Sequence, residues 1–301
     1  MTTLVLGASG LLGREIYKQL EGPKVGWSSS CQDLTQKFSF NEDYVLDAIY
    51  MCAGRVGGIK DNMNHQWEFL YQNALMALNT INAALEANVE NFYYISSSCV
   101  YPPSDNPLRE EDLMNGRFEP TNEGYALAKL VGMNACKLIN NKTFANFRSF
   151  TPCNLYGPGA KSDSNAHVIG SLINKFMIAK RYGQDNVQVW GDGTPRREFM
   201  HAKDAASAIL HMINQQDLGS HLEHNINIGT GTDISIKELA ELIADRVSYS
   251  GKISFQDSTW VNGAQRKLLD ISILNSIGFK PVYRLDQGID EIIYEYGKSI
   301  L

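Results

Sequence analysis

The first thirteen residues constrain the fold more than any other stretch. Thr3-Leu4-Val5-Leu6 is a short apolar run that passes directly into Gly7-Ala8-Ser9-Gly10-Leu11-Leu12-Gly13, and a helical pattern follows through Leu20. A strand, a glycine turn and a helix start in that order let a pyrophosphate approach the backbone and rest on the helix N-terminus. Gly7, Ala8, Ser9, Gly10, Leu11, Leu12 and Gly13 are therefore the candidate dinucleotide-binding residues. The spacing is GxxGxxG, and a tight turn that holds nothing can carry the same glycines, so the motif needs its context.

The chain supplies that context. Strand-like segments at Lys24–Ser28, Tyr44–Cys52, Phe92–Ile95, Phe144–Phe150 and Asn225–Gly231 alternate with helical patterns, the longest running from Asn62 to Asn88. This alternation predicts an α/β fold, a Rossmann-type doubly wound parallel sheet with a smaller C-terminal α/β substrate domain. The composition shifts at Thr151-Pro152-Cys153-Asn154-Leu155-Tyr156-Gly157-Pro158-Gly159. Residues 1–155, with a return segment near 197–230, are expected to bind the dinucleotide, and 156–301 to form most of the substrate domain. In the long helical pattern, Trp67, Leu70, Tyr71, Ala74, Leu75, Leu78 and Ile81 are expected to pack on the sheet or to form a dimer contact.

Composition narrows the class. A net charge of −6 argues against a general nucleic-acid binder but leaves room for a local cationic pocket. The five cysteines, at 31, 52, 99, 136 and 153, are scattered without metal-ligand spacing, which points to reduced thiols, a cytoplasmic setting and no metal. No apolar run approaches the roughly 20 residues of a membrane span, and no signal peptide precedes the first strand. At the end of the second strand stand Ser28, Ser29, Ser30 and Cys31, and the nearest acid is Asp33. A carboxylate there would favour NAD through the ribose hydroxyls, so its absence favours NADP.

Two later stretches carry chemistry. Ser96-Ser97-Ser98-Cys99-Val100-Tyr101-Pro102 follows an apolar strand, where open parallel sheets place their ligands. On an extended stretch, Ser97 and Cys99 would point to a common side. Tyr125 and Lys129 are four apart in a helical segment and share a face. A lysine ammonium beside a phenol lowers a pKa that starts at about 10, which would make Tyr125 a usable acid or base, with a serine hydroxyl to hold the substrate oxygen. A bare YxxxK also arises by chance on solvated helices. A lone cysteine is often only a small buried residue, and a lone histidine such as His167 is usually structural.

Taken together, GASGLLG at 7–13, RVGGI at 55–59, SSCVYP at 97–102, EPTNEGYALAK at 119–129, AHVI at 166–169, VWGDGTPRREF at 189–199 and RKLLD at 266–270 resemble the extended short-chain dehydrogenase/reductase family. Within it, the chain resembles the nucleotide-sugar 3,5-epimerase/4-reductases. The resemblance covers nearly the whole chain. It implies NADP(H) as cofactor, a GDP-sugar as substrate and a homodimer packed through the 62–88 and Tyr125 helices. It implies Ser97, Tyr125 and Lys129 as the reductase set, and Cys99 and His167 as the epimerase acid/base pair. Tyr125, Lys129 and His167 would also border the cofactor. Lys175 and Arg197 would hold the nucleotide diphosphate of GDP-4-keto-6-deoxy-D-mannose, Trp190 would lie against the nucleotide and Lys267 would also bind the substrate, with GDP-L-fucose as product. A related 3,6-dideoxy sugar could use the same pair, and a cofactor-sensing protein without chemistry would have had no need of Tyr125 and Lys129.

Overall fold

The computed structural model describes residues 2–40, 45–142, 145–160, 167–215, 225–256 and 263–300. Part of the AHVI segment (Ala166), and residues 161–165 before it, lie outside them. From the N-terminus, β1 (Thr2–Leu6) leads to α1 (Leu11–Gln19), β2 (Lys24–Trp27), β3 (Leu46–Met51), α2 (Ile59–Asn64), α3 (Gln66–Glu86), β4 (Asn91–Ile95), α4 (Glu123–Asn140) and β5 (Asn146–Pro152). The chain continues through β6 (Asn154–Tyr156), α5 (Val168–Arg181), β7 (Asn186–Val189), β8 (Arg196–His201), α6 (Ala202–Ile213), β9 (Asn225–Ile228) and β10 (Asp233–Ser235). It closes with α7 (Ile236–Val247), β11 (Lys252–Phe255), β12 (Arg266–Lys267), α8 (Ser272–Ser276) and α9 (Leu285–Ile300).

The central sheet has the order β2-β1-β3-β4-β5-β9, and every pairing in it is parallel. Parallel strands covered on both faces read as near-continuous apolar runs, and Val5, Leu6, Ile49, Phe92, Phe147 and Phe150 are fully buried. The strand order reverses between β1 and β3, so a crevice opens there at the carboxyl ends of the strands. The glycine turn after β1, the 53–58 loop after β3 and the serine stretch after β4 all leave the sheet at that edge.

A second hydrophobic cluster forms from Ile169, Ile173 and Phe176 of α5, Leu239 and Ile243 of α7, and Ile289 and Ile292 of α9. β8 joins the two clusters: it pairs in parallel with β6 and β12 and antiparallel with β10, while Met200 at its far end lies in the first cluster. The joint is pinned by Glu198. This fully buried carboxylate accepts from the backbone N–H groups of Gly231 (2.7 Å), Leu269 (2.9 Å) and Thr230. A buried carboxylate needs such donors to offset its lost hydration. The same contacts fix the loop after β9 and the residues beyond β12 to the strand that carries Arg197.

The long helical pattern does not run unbroken. It splits at His65, whose φ of −134° is outside the helical region. Its register differs from expectation in part: Ile81 faces inward as expected, but so do Phe69, Asn73 and Ala77, whereas Trp67 is 66% and Leu78 45% exposed. α3 carries apolar residues on several faces and buries the polar Asn73 and Thr80, so its pattern does not say which stripe meets the sheet. Replacing Glu198 by Gln should cost about 2 kcal/mol, because an amide presents its own N–H groups to these backbone donors. Urea unfolding measures this, and unchanged stability would show that the strands hold their register without the carboxylate.

Candidate active site

The cofactor cradle is built by steric limits at the first turn. Gly7 has φ +79°, and a Cβ there would lie 2.8 Å from the Ala53 nitrogen. A Cβ on Gly13 would run into the Gly7 carbonyl, so α1 sits closer to the turn than any side chain allows. α1 has no side-chain cap and no acid in its first turn, which leaves its N–H groups and positive dipole end open to an anion. At the end of β2, Ser28 and Ser30 hydroxyls meet at 2.7 Å. Asp33 is turned into its own loop, where it accepts from the Thr35 N–H (2.9 Å) and hydroxyl (2.7 Å), which hold its carboxyl below the usual range. No carboxylate is therefore offered to a ribose 2′ position by this loop, and the residues fit a phosphorylated dinucleotide.

Tyr125 and Lys129 are placed by the close seating of α4. A Cβ at Gly132 would overlap the Tyr94 ring of β4, and Gly124 N–H donates to Gln66 Oε1 at 2.8 Å, tying the head of α4 to α3. Lys129 is buried and donates to the Ile95 carbonyl at 2.8 Å, with its ammonium 5.0 Å from the Tyr94 ring centroid and 5.8 Å from that of Tyr125. Burial pushes this ammonium down to about 8. The expected lowering of the Tyr125 phenol is not found: burial pushes it up, Cys99 adds to the rise, and a hydrogen bond with Ser97 opposes it. The main cause is the burial of the phenol, and the Lys129 ammonium, 5.8 Å from the ring centroid and bonded to the Ile95 carbonyl, does not offset it. Tyr125 is consequently held in its protonated form.

Ser97 and Cys99 are brought together, but not on an extended strand. Residues Ser98–Val100 form a single 3-10 turn for which Ser97 is the N-cap, its hydroxyl accepting from the Cys99 N–H at 3.3 Å. The Cys99 sulfur receives the Asn122 side-chain amide at 3.2 Å and the Lys267 ammonium at 3.7 Å. Lys267 pairs with Arg197 across β12 and β8. Burial pushes Arg197 down, opposed by Cys99 and Glu119. The turn itself is anchored by Tyr101, whose buried hydroxyl donates to Asn227 Oδ1 at 2.7 Å on β9. Cys136 and Cys153 are buried as expected of packing residues, and among the described residues no group could hold a metal.

His167 is exposed at the head of α5, as the N-cap residue, and makes no side-chain cap there. Trp190 is 42% exposed between two lysines: the Lys175 ammonium stands 4.7 Å and that of Lys60 5.8 Å from its ring. Sequence reasoning missed Lys60, Asn122 and Glu198. Asn122 reads locally as an ordinary helix cap, and the other two act across distances that no local pattern spans.

A glycine turn under a helix N-terminus, beside a Ser-Tyr-Lys set at the edge of a parallel sheet, defines a nucleotide-dependent oxidoreductase of the epimerase type. Residues 3–229 match the NAD dependent epimerase/dehydratase family, and the chain belongs to it. It is 36% identical to the GDP-L-fucose synthase of Escherichia coli (strain K12), covering 95% of this chain and 93% of that protein. It is 35% identical to the GDP-L-colitose synthase of Yersinia pseudotuberculosis, over 97% and 96% respectively. Among solved structures, the GDP-mannoheptose C4 reductase from Campylobacter jejuni with NADP bound superposes with a TM-score of 0.82 at 30% identity, covering 99% of this chain and 98% of that one.

The depressed Lys129 makes a signed prediction. Its folded value of about 8 is below the unfolded one, so burying the charge penalises the fold fully below pH 8, and the penalty fades as pH rises toward 10.5. Lys129→Met should therefore stabilise the protein by roughly 2 kcal/mol at pH 7 while removing activity, and the gain should vanish by about pH 10.5. Thermal unfolding across that range checks both the sign and the window.

Proposed function

We propose that this protein is a bifunctional 3,5-epimerase and NADPH-dependent 4-reductase that converts GDP-4-keto-6-deoxy-D-mannose to GDP-L-fucose. The carrying observation is the single cluster of Ser97, Cys99 and Tyr125 facing cations from the second sheet. The family, the E. coli relative and the NADP-bound structure support it. The glycine turn and the Ser28–Ser30 loop would hold the cofactor, with Lys129, Tyr125 and His167 beside it. Lys175, Trp190, Arg197 and Lys267 would hold the nucleotide diphosphate, since ammonium and guanidinium groups suit phosphate oxygens and an indole offers a stacking face. The division into residues 1–155 with a return near 197–230, and a substrate domain mainly in 156–301, is supported by the two hydrophobic clusters.

The C4 ketone acidifies the hydrogens on C3 and C5, because the carbanion delocalises onto O4. Ser97 and Tyr125 stabilise that oxygen by donating to it. Cys99 removes or returns a proton on one face and His167 supplies the other, since inversion needs an acid and a base on opposite faces. NADPH, when bound, supplies the hydride for C4. Tyr125, held protonated by burial, gives its proton to O4. The scattered free thiols and the absence, among described residues, of any helix long and apolar enough to cross a membrane support a cytoplasmic setting.

We also propose a homodimer. Trp67, Tyr71, Leu78 and Leu85 of α3 and Val131 and Leu138 of α4 are exposed apolar residues on two adjacent helices, and Trp67 stacks on Tyr71 at 5.3 Å. Such a face is stabilised by burial against its own copy. Leu78→Glu with Leu138→Glu should give a monomer by light scattering at micromolar concentration, and a native protein that is already monomeric would remove the proposal.

The catalytic reading separates by variant. Tyr125→Phe should lower turnover at least 100-fold with cofactor affinity retained, as titration of NADPH fluorescence measures. Cys99→Ser should abolish solvent deuterium exchange at C3 and C5 while leaving reduction of the ketone possible. Exchange at the native rate in Cys99→Ser would remove Cys99 from the mechanism.

A further inference from the structure

Asn122 breaks a local rule. It occupies the N-cap position of α4, where asparagine ordinarily accepts from an early helical N–H, yet its side chain makes no cap. Instead its amide N–H points at the Cys99 sulfur at 3.2 Å, and its Oδ1 is buried without a hydrogen-bond partner among the described residues. Both features cost stability, and sequences depart from local preference in this way chiefly at functional sites. From the opposite side, Lys267 places a second donor 3.7 Å from the same sulfur. Lysine can only donate, so both neighbours treat the sulfur as an acceptor.

We infer that Asn122 and Lys267 form a donor seat for Cys99, making both of them positioning residues for its proton exchange. With donors from α4's head and β12, the S–H proton has no acceptor in the seat and is directed to the open side, where the sugar would lie. When the proton leaves, the sulfur's charge meets an ammonium and an amide already in place. The other charged or titratable groups facing Cys99 are Tyr125 from α4 and Arg197 from β8, with Glu119 acting on Arg197. Lys267 thus serves the sulfur rather than only the diphosphate. The inference rests on the reading of Cys99 as a proton-exchanging group.

The test is peptide-resolved alkylation of Cys99 by iodoacetamide on the full-length protein, from pH 5.5 to 9.5. GDP affinity by calorimetry and melting temperature are measured alongside. Lys267→Met should slow alkylation at pH 7 several-fold, because the ammonium beside the sulfur stabilises the negative charge the sulfur carries as it reacts. Lys267→Arg should restore most of it. Asn122→Ser should slow alkylation several-fold with GDP affinity unchanged and the melting temperature equal or higher, since a serine there can cap α4. Unchanged alkylation curves in Lys267→Met and Asn122→Ser would overturn the seat. A loss confined to GDP affinity in Lys267→Met would overturn it too, returning Lys267 to the nucleotide. If the curves shift but native enzyme exchanges no deuterium at C3 or C5, the seat stands and the epimerase reading fails.

Discussion

The site depends on a carboxylate that never reaches it. Glu198 is fully buried, and a buried charge is tolerable only where several donors replace water. Those donors are backbone N–H groups beyond β9 and β12. Meeting them forces the second sheet to dock its cationic strands against the carboxyl edge of the first. Arg197 and Lys267, neighbours in register, are carried with it and face the turn that holds Cys99. The cost of burying one acid is thereby converted into the placement of two bases.

The opposite wall is set by packing rather than charge. α4 approaches β4 so closely that Gly132 lies on the Tyr94 ring, and this closeness buries Lys129 and most of Tyr125. Burial opposes charge on both groups, so it holds the phenol protonated and weakens the ammonium. A protonated phenol is the form that can deliver a proton to oxygen at the end of a ketone's reduction.

Much of this was legible in the chain. Buried parallel strands and glycine turns leave strong local marks, so the sheet and the dinucleotide cradle follow from residue pattern, while the choice of Ser97 to join Tyr125 and Lys129 came from the family resemblance. Three features did not, each for a physical reason. Which stripe of α3 faces inward is ambiguous when Trp67, Tyr71, Phe69 and Ile81 are all apolar. The sign of the Tyr125 shift is set by the burial of the phenol, and spacing fixes only that it shares a face with Lys129. Asn122, Lys60 and Glu198 act on partners 23, 130 and 32 or more residues away, beyond the reach of local periodicity.

The central claim is that one pocket both inverts C3 and C5 and reduces C4. The most direct measurement is NMR of the product formed from GDP-4-keto-6-deoxy-D-mannose and NADPH in deuterium oxide. The account predicts GDP-L-fucose with deuterium at both C3 and C5. A reduced product that keeps the manno configuration and carries no deuterium at those carbons would contradict it.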